Sequence, residues 1–333
     1  MVKQQTNPER AYVLRIAPSG IDRLPEALKS NQIIIGWSDS EGLLKPSLTK
    51  SEFRDIIHNA HYADTANLRK AGAAAGNMWR FLREMRIGDL VVVPYGPNFY
   101  IAEVAGDATY DKKKVDEDTA YRRDVKWLNS KKPVPRDWAK SALISRMKIQ
   151  GTSADATDLL PEILQCVQRA DSGAAPTFLE NLQQRLIEET LKELQEGFMD
   201  EAAFERLIQQ VLLRLGAGEA RIVPRNEDQG ADIVAIFQVA GTFSQTVAVQ
   251  AKYWKPDPPV GQEVVKQLIK GIEAENAVLG LVITTGSIAE DAEKEAEKYS
   301  DDAGIRIELL DGKQFAKLIV ELGISPPPRG LKN

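Results

Sequence analysis

Between residues 201 and 322 the apolar periodicity switches repeatedly between a helical and a strand repeat, and this alternation restricts the fold more than any other feature. The pattern reads as a helix over 201–215, two strands, and helices over 261–275, 288–300 and 312–322 that flank strands over 277–284 and 305–310. Such alternation implies helices layered on one sheet. The helix lying between two of the strands implies a crossover within that sheet. In the second strand of the leading pair, Val247, Val249 and Ala251 alternate with Thr246, Ala248, Gln250 and Lys252, which predicts one apolar face and places Gln250 and Lys252 together on the other. Asp232 opens the strand before it, 232–239, and a hairpin turning around 240–243 puts Asp232 opposite Lys252. An acid, a carbonyl-bearing side chain and an ammonium then meet on one patch. Hard divalent cations take oxygen ligands, and a lysine neutralises phosphoryl charge.

The chain's 333 residues are enough for two ordinary domains. Cys166 is the only cysteine, which excludes an internal disulfide and a cysteine-built zinc site and fits a cytoplasmic protein. The start, Met1 to Pro8, has no apolar signal-peptide core, and no apolar run approaches the roughly 18 residues of a membrane span. His58 and His61, the only histidines, have no ligand partner at metal spacing and read as surface or packing groups. The net charge of −5 is unevenly spread: residues 1–165 carry 25 Lys+Arg against 21 Asp+Glu, and the remainder 18 against 27. Phosphate contact is therefore expected from the first half.

Five blocks of the second half recur in a known order. They are Phe204-Glu205 with Leu212-Leu213-Arg214-Leu215-Gly216; Asp228-Gln229-Gly230-Ala231-Asp232-Ile233-Val234-Ala235; Val249-Gln250-Ala251-Lys252-Tyr253-Trp254; Leu281-Val282-Ile283-Thr284-Thr285-Gly286; and Ile307-Glu308-Leu309-Leu310-Asp311-Gly312. Residues 198–320 resemble the Mrr-like restriction endonucleases, a branch of the PD-(D/E)xK nucleases. The resemblance implies an α/β/α sandwich with a mixed sheet and an Mg²⁺- or Mn²⁺-dependent cut of DNA. It makes Asp232 the central metal-binding carboxylate, Gln250 and the Ala251 carbonyl further ligands, Lys252 the group that orients water, and Glu205 a second-metal or supporting carboxylate. Gln250 departs from the superfamily's usual Asp or Glu. Gln262 is a candidate for contact with the lysine or phosphate. Asp228 and Gln229 read as turn formers, while Tyr253 and Trp254 either press on DNA or cover the core.

The first half reads as mixed α+β, with strands at 11–17, 32–36, 90–94 and 100–105 and helices at 20–30, 50–58 and 72–83. Ile35-Gly36-Trp37-Ser38, Trp79-Arg80-Phe81, the run Ile87 to Pro94, Tyr100 to Val104 and Arg122 to Trp127 resemble EVE/PUA-like pseudo-barrel readers of modified bases. That resemblance makes Trp37, Trp79, Tyr95 and Tyr100 candidates for stacking on an extruded base, with Trp127 in the core. Lys113, Arg122 and Arg123 are candidates for gripping phosphate. The expected organisation is a reader domain over 1–165, a linker and connecting helix over 166–197, a nuclease over 198–325 and a disordered tail over 326–333. The implied protein is a cytoplasmic, modification-dependent endonuclease of phage defence that acts as a homodimer or higher oligomer on DNA, without membrane contact. Two alternatives stand beside it: a degenerate nucleic-acid-binding module marked by Gln250, and a nuclease triggered by an RNA or nucleotide signal.

Overall fold

A computed structural model describes residues 8–64, 68–149, 151–172, 178–197, 199–224, 229–239, 243–254 and 258–324. The chain divides into two units, 1–174 and 175–333. The first contains β1 (Ala11–Leu14), α1 (Leu24–Ser30), β2 (Gln32–Ile35), α2 (Lys50–His61), α3 (Leu68–Trp79), β3 (Leu90–Tyr95), β4 (Asn98–Tyr110), β5 (Tyr121–Trp127), β6 (Val134–Pro135), α4 (Ser141–Met147), β7 (Ser153–Asp155) and α5 (Leu160–Ser172). The second contains α6 (Phe178–Glu196), α7 (Glu201–Arg214), β8 (Ala217–Ile222), β9 (Ile233–Val239), β10 (Phe243–Lys252), α8 (Gln262–Ala274), β11 (Leu279–Thr284), α9 (Glu290–Ala303), β12 (Arg306–Leu310) and α10 (Gly312–Leu322). The segment expected as a linker is thus shared out, with α5 in the first unit and α6 in the second. The expected tail lies outside the described residues.

In the first unit seven strands form a mixed sheet in the order β2-β5-β4-β3-β1-β7, with β6 paired to β4. The path is open, with no pairing of β2 to β7 among the described residues. Strand parity sends Tyr12, Leu14, Val91 and Val93 to one face, under Leu24, Phe53, Ile57 and Met78 of the first three helices. Ala11, Val13, Leu90 and Val92 go to the other, under Leu143, Met147 and Ile163 of α4 and α5. The strand β5 was not foreseen, because Arg122, Arg123, Asp124 and Lys126 break its apolar pattern.

The second unit is an α/β/α sandwich on a five-stranded mixed sheet, β12-β11-β10-β9-β8. Strands β10, β11 and β12 run parallel, and β9 is antiparallel to β10 and β8. β10, α8 and β11 form the expected crossover. The short β8 was missed, since Glu219 and Arg221 interrupt its two alanines. Val247, Val249 and Ala251 pack with Leu194, Phe204, Leu207, Ile208, Phe315 and Ile319 of α6, α7 and α10. Ala248 packs with Val264, Val265, Leu268 and Ala292 of α8 and α9. Both faces of β10 are therefore covered, so the face that carries Gln250 is buried as well as the apolar one: a central strand in a three-layer fold has no outer side.

One close approach fixes α8 against the backbone that leads into β9. A Cβ at Gly271, inside α8, would lie 2.6–2.8 Å from the Gly230 carbon and from the Ala231 nitrogen and Cβ. Gly230, at φ +113°, is likewise closed to a side chain by the Gln267 carbonyl and the Gly271 nitrogen. A glycine inside a helix costs roughly 1 kcal/mol relative to alanine, and this contact offsets that cost by letting α8 sit on the backbone two residues before Asp232. Gly271→Ala should destabilise the second unit by about 2 kcal/mol through overpacking. A thermal melt should show the corresponding drop of roughly 4–8 °C, and an unchanged melt would refute the contact.

Candidate active site

Phe243 pairs with Val239 and Ile233 with Val249, and the Asp232 amide donates to the Val249 carbonyl at 2.8 Å. This register sets Asp232 opposite Gln250, two residues earlier than the expected Lys252, because the pairing is centred on Gly241. The turn itself, 240–242, lies outside the described residues. Gln250 and Lys252 share a face, so all three side chains leave β9 and β10 on the same side.

Asp232 is tied to β10 rather than standing loose. Its Oδ2 accepts a hydrogen bond from the Ala251 amide at 2.7 Å and another from Gln250 Nε2. Gln250 is fully buried. With Nε2 turned to Asp232, its Oε1 has no hydrogen-bond partner among the described residues. A buried acceptor left unpaired costs about 1–3 kcal/mol, so a cation in contact with it would relieve a standing penalty. Among the described residues no three His, Cys, Asp or Glu side chains group together. The oxygen set is consequently one carboxylate with a neutral amide and the Ala251 carbonyl beside it, and these fit a hard divalent cation. Lys252 is half-buried, and its ammonium makes no hydrogen bond or ion pair among the described residues.

The other expected site residues fall in different places. Glu205 is half-buried on α7, the helix that covers the opposite face of the sheet. Gln262 is the first residue of α8. The preceding Val260 bridges Ile288 just past the end of β11, so Gln262 lies at the same end of the sheet as Lys252. Tyr253 packs against Phe204 with ring centroids 5.6 Å apart, and burial, assisted by Asp200, pushes its hydroxyl pKa up. Trp254 packs on the α8 face. Both aromatics therefore cover the core. Gln229 is exposed, and Asp228 lies outside the described residues.

In the first unit a cavity of about 580 Å³ is lined by Trp37, Asp39, His61, Asp116 and Asp118, with Ser19 and Thr152. Trp37 sits at φ +62°, a left-handed conformation rare for a bulky side chain and costing about 1–3 kcal/mol. Its indole nitrogen donates to the Tyr62 hydroxyl at 3.1 Å. Trp79 lies away from this lining, edge-on to Phe53 and with Lys50 Nζ 5.3 Å from its ring. Tyr95 and Tyr100 meet edge to face, as do Tyr100 and buried Trp127.

Arg122 and Arg123 correct the expected phosphate grip. Arg122 is buried against Glu26 (2.5 Å), Gln32 and the Thr119 carbonyl. Arg123 donates to the Phe81 and Gly106 carbonyls at 2.8 and 3.0 Å, and burial pulls its pKa down. Both hold backbone together in the interior. Lys112 pairs with Glu41 and Lys114 with Glu26 and Glu117, while Lys113 between them is exposed. No helix among the described residues is long and apolar enough to cross a membrane.

Residues 197–319 match the Mrr_cat family, described as a restriction endonuclease. The second unit thus carries a restriction endonuclease domain, and the chain is a DNA endonuclease, a phosphodiester hydrolase. Domains of this type use divalent metals. Residues 22–147 match a domain of unknown function (DUF8426). No curated protein matches the chain. Two solved structures resemble it. The DNA modification-dependent restriction endonuclease AspBHI is 16% identical, with 76% of this chain and 69% of that chain covered and a TM-score of 0.35. The MspJI restriction endonuclease in complex with a 27-mer oligonucleotide is 14% identical, with 92% and 66% covered and a TM-score of 0.33. The assignment rests on the family match.

Gln250→Glu should read out the metal fit directly. Without metal, the introduced carboxylate faces that of Asp232 and loses the amide donor, so stability at neutral pH should fall by about 3 kcal/mol. Mg²⁺ or Mn²⁺ should restore it and bind at least tenfold tighter than in the wild type by calorimetry. Equal metal affinity in the two proteins would refute Gln250 as a ligand.

Proposed function

We propose that the restriction endonuclease domain cuts DNA at Asp232, Gln250 and Lys252 with Mg²⁺, or Mn²⁺ in its place. The carrying observation is the bonding of Asp232 Oδ2 to the Ala251 amide and Gln250 Nε2, with Gln250 Oε1 and the Lys252 ammonium unpartnered among the described residues. In this reading Asp232, Gln250 and the Ala251 carbonyl hold the cation, and Glu205, on the helix that covers the opposite face, is left out of the set. When bound, the cation supplies Lewis-acid neutralisation of charge on the phosphate. Asp232 needs no reorientation to bind, because two β10 donors already fix its carboxylate. Lys252 places its ammonium where it orients the attacking water and stabilises the charge that develops on the phosphoryl oxygens. Gln262, at the same end of the sheet, contacts phosphate or the lysine.

The first unit is proposed to decide where the cut falls, by taking a modified base into the Trp37 cavity. Trp37 offers an aromatic face, and the Asp39 and Asp116 carboxylates are placed to accept from base nitrogens, while Asp118 is held by the Ser38 amide and the Ser19 hydroxyl. Among the described residues no lysine or arginine lines the cavity, which suits a base rather than a phosphate. Exposed Lys113 is left for backbone contact. Cutting both strands needs two active sites, so the acting species is a homodimer or higher oligomer, placed in the cytoplasm with the DNA it restricts.

Asp232→Ala and Lys252→Ala should each abolish nicking of a modified plasmid in Mg²⁺ and leave duplex binding, measured by anisotropy, within about twofold. Cleavage that survives either substitution would sink the site. Trp37→Ala should weaken binding of modified duplex by the roughly 1–3 kcal/mol that stacking contributes per base. It should leave unmodified duplex unaffected. An equal loss on both duplexes would remove Trp37 from base recognition.

A further inference from the structure

The end of β10 that carries Lys252 is held from one residue on the neighbouring strand's exit, Thr285. Its amide donates to the Lys252 carbonyl at 3.3 Å, and its hydroxyl donates to the Trp254 carbonyl. The Trp254 amide also donates to the Lys252 carbonyl, at 3.0 Å. Thr285 is fully buried and thus clamps both sides of Tyr253, immediately beyond the proposed catalytic strand. Before it, Thr284 pairs with Lys252 in the parallel register, and its hydroxyl accepts from the Gly286 amide at 3.0 Å.

The carbonyl of Thr285 is held in turn from outside the sheet. Gln195, on α6, donates to it through Nε2 at 2.8 Å. The start of α10 closes around the same group: the Gly312 amide donates to the Gly286 carbonyl at 2.9 Å, and a Cβ at Gly312 would collide with the Thr285 carbonyl. Leu191, one turn before Gln195 on α6, lies 3.0 Å from where that Cβ would be. No room exists there for the 284–286 turn to shift toward α10. Its hydrogen-bonded restraint on the α6 side is the Gln195 amide.

We infer that Gln195 is a positioning residue for Lys252, acting through Thr285 to fix the end of β10. The inference rests on the active site proposed above. A lysine ammonium on a four-carbon stem reaches a phosphate reproducibly only if its backbone is fixed, and misplacement of about 1 Å costs on the order of a hundredfold in rate. Gln195 also ties the end of this strand by a hydrogen bond to α6, the helix that opens the second unit after the division at 174. The Thr284-Thr285-Gly286 turn, whose residues suggest phosphate binding, is thereby assigned to bracing: the Thr285 amide and hydroxyl are spent on the Lys252 and Trp254 carbonyls and the Gly286 amide on the Thr284 hydroxyl.

The test is Gln195→Glu in the full chain, an isosteric change that removes the donor and sets a carboxylate against the Thr285 carbonyl. Single-turnover cleavage at saturating DNA and Mg²⁺ should slow by at least about tenfold, the equivalent of one lost hydrogen bond. DNA affinity, measured in the Asp232→Ala background where no cutting occurs, should stay within about twofold. Thr285→Val should reproduce the kinetic loss, and Thr285→Ser, which keeps the hydroxyl, should retain the wild-type rate. Amide exchange at 252–254 should quicken in the two impaired variants. An unchanged cleavage rate in Gln195→Glu overturns the inference, as does a loss that tracks weakened DNA binding. If the wild type itself fails to cut any DNA with either metal, the proposed active site has failed, and that result is distinct from a failure of the positioning role.

Discussion

A strand covered by helices on both faces leaves no room for an idle polar group, and β10 is such a strand. Ala248 and Gln250 are fully buried, and apolar clusters lie to either side. A polar residue in that setting is tolerated when its hydrogen bonds are met or when something else is meant to meet them. Asp232 meets half of the demand by accepting from the Gln250 amide and the Ala251 N–H. What is left over, Gln250 Oε1, is a buried oxygen aimed beside a carboxylate. The site is therefore built from the strand's own unmet chemistry, and the surrounding layers fix its position: α8 by its glycine contact with Gly230, α7 and α10 from the other face.

Electrostatics divide the labour between the units in a way the raw charge does not show. The first half of the chain carries the excess of basic residues, yet two of the most suggestive, Arg122 and Arg123, are interior fasteners, and Lys112 and Lys114 are already matched with glutamates. The cavity in that unit is acidic. A surface of this kind attracts phosphate weakly, and under the proposed reading its selectivity comes from what enters the cavity instead. That favours recognition by a base edge over a general grip on the backbone.

The layered second unit was legible because its helices and strands follow clean 3.6- and 2-residue repeats, as in 201–214 and 279–284. The pairing of Asp232 with the Gln250 strand was legible too, with an error of two residues in register. Hairpin register depends on where the turn centres, and spacing alone does not give that. The strands β5 and β8 were not legible, because charged residues that bond inward or sit at a sheet edge look like loop. Gln195 carried no signal at all: one glutamine on a Glu- and Gln-rich helix is distinguished only by the carbonyl it happens to meet. Gly271 did carry one, as a glycine within an otherwise good helix, which points to a close backbone approach.

The glutamine at 250 is where folding and catalysis pull against each other. A glutamate there would add charge for the cation, but in the metal-free chain it would face Asp232 across the hairpin inside a dry layer, where like charges cannot both stay ionised. Glutamine removes that conflict and supplies a donor that orients the carboxylate. The result is a site that is already assembled before metal arrives and holds it with one formal charge fewer. The proposed reading then implies weaker metal affinity and cutting that saturates at a higher cation concentration than a two-carboxylate site would need. An enzyme whose substrate is also the carrier of the host's genes can use such a limit, because the cut then requires DNA, cation and the Lys252 strand to be in place together.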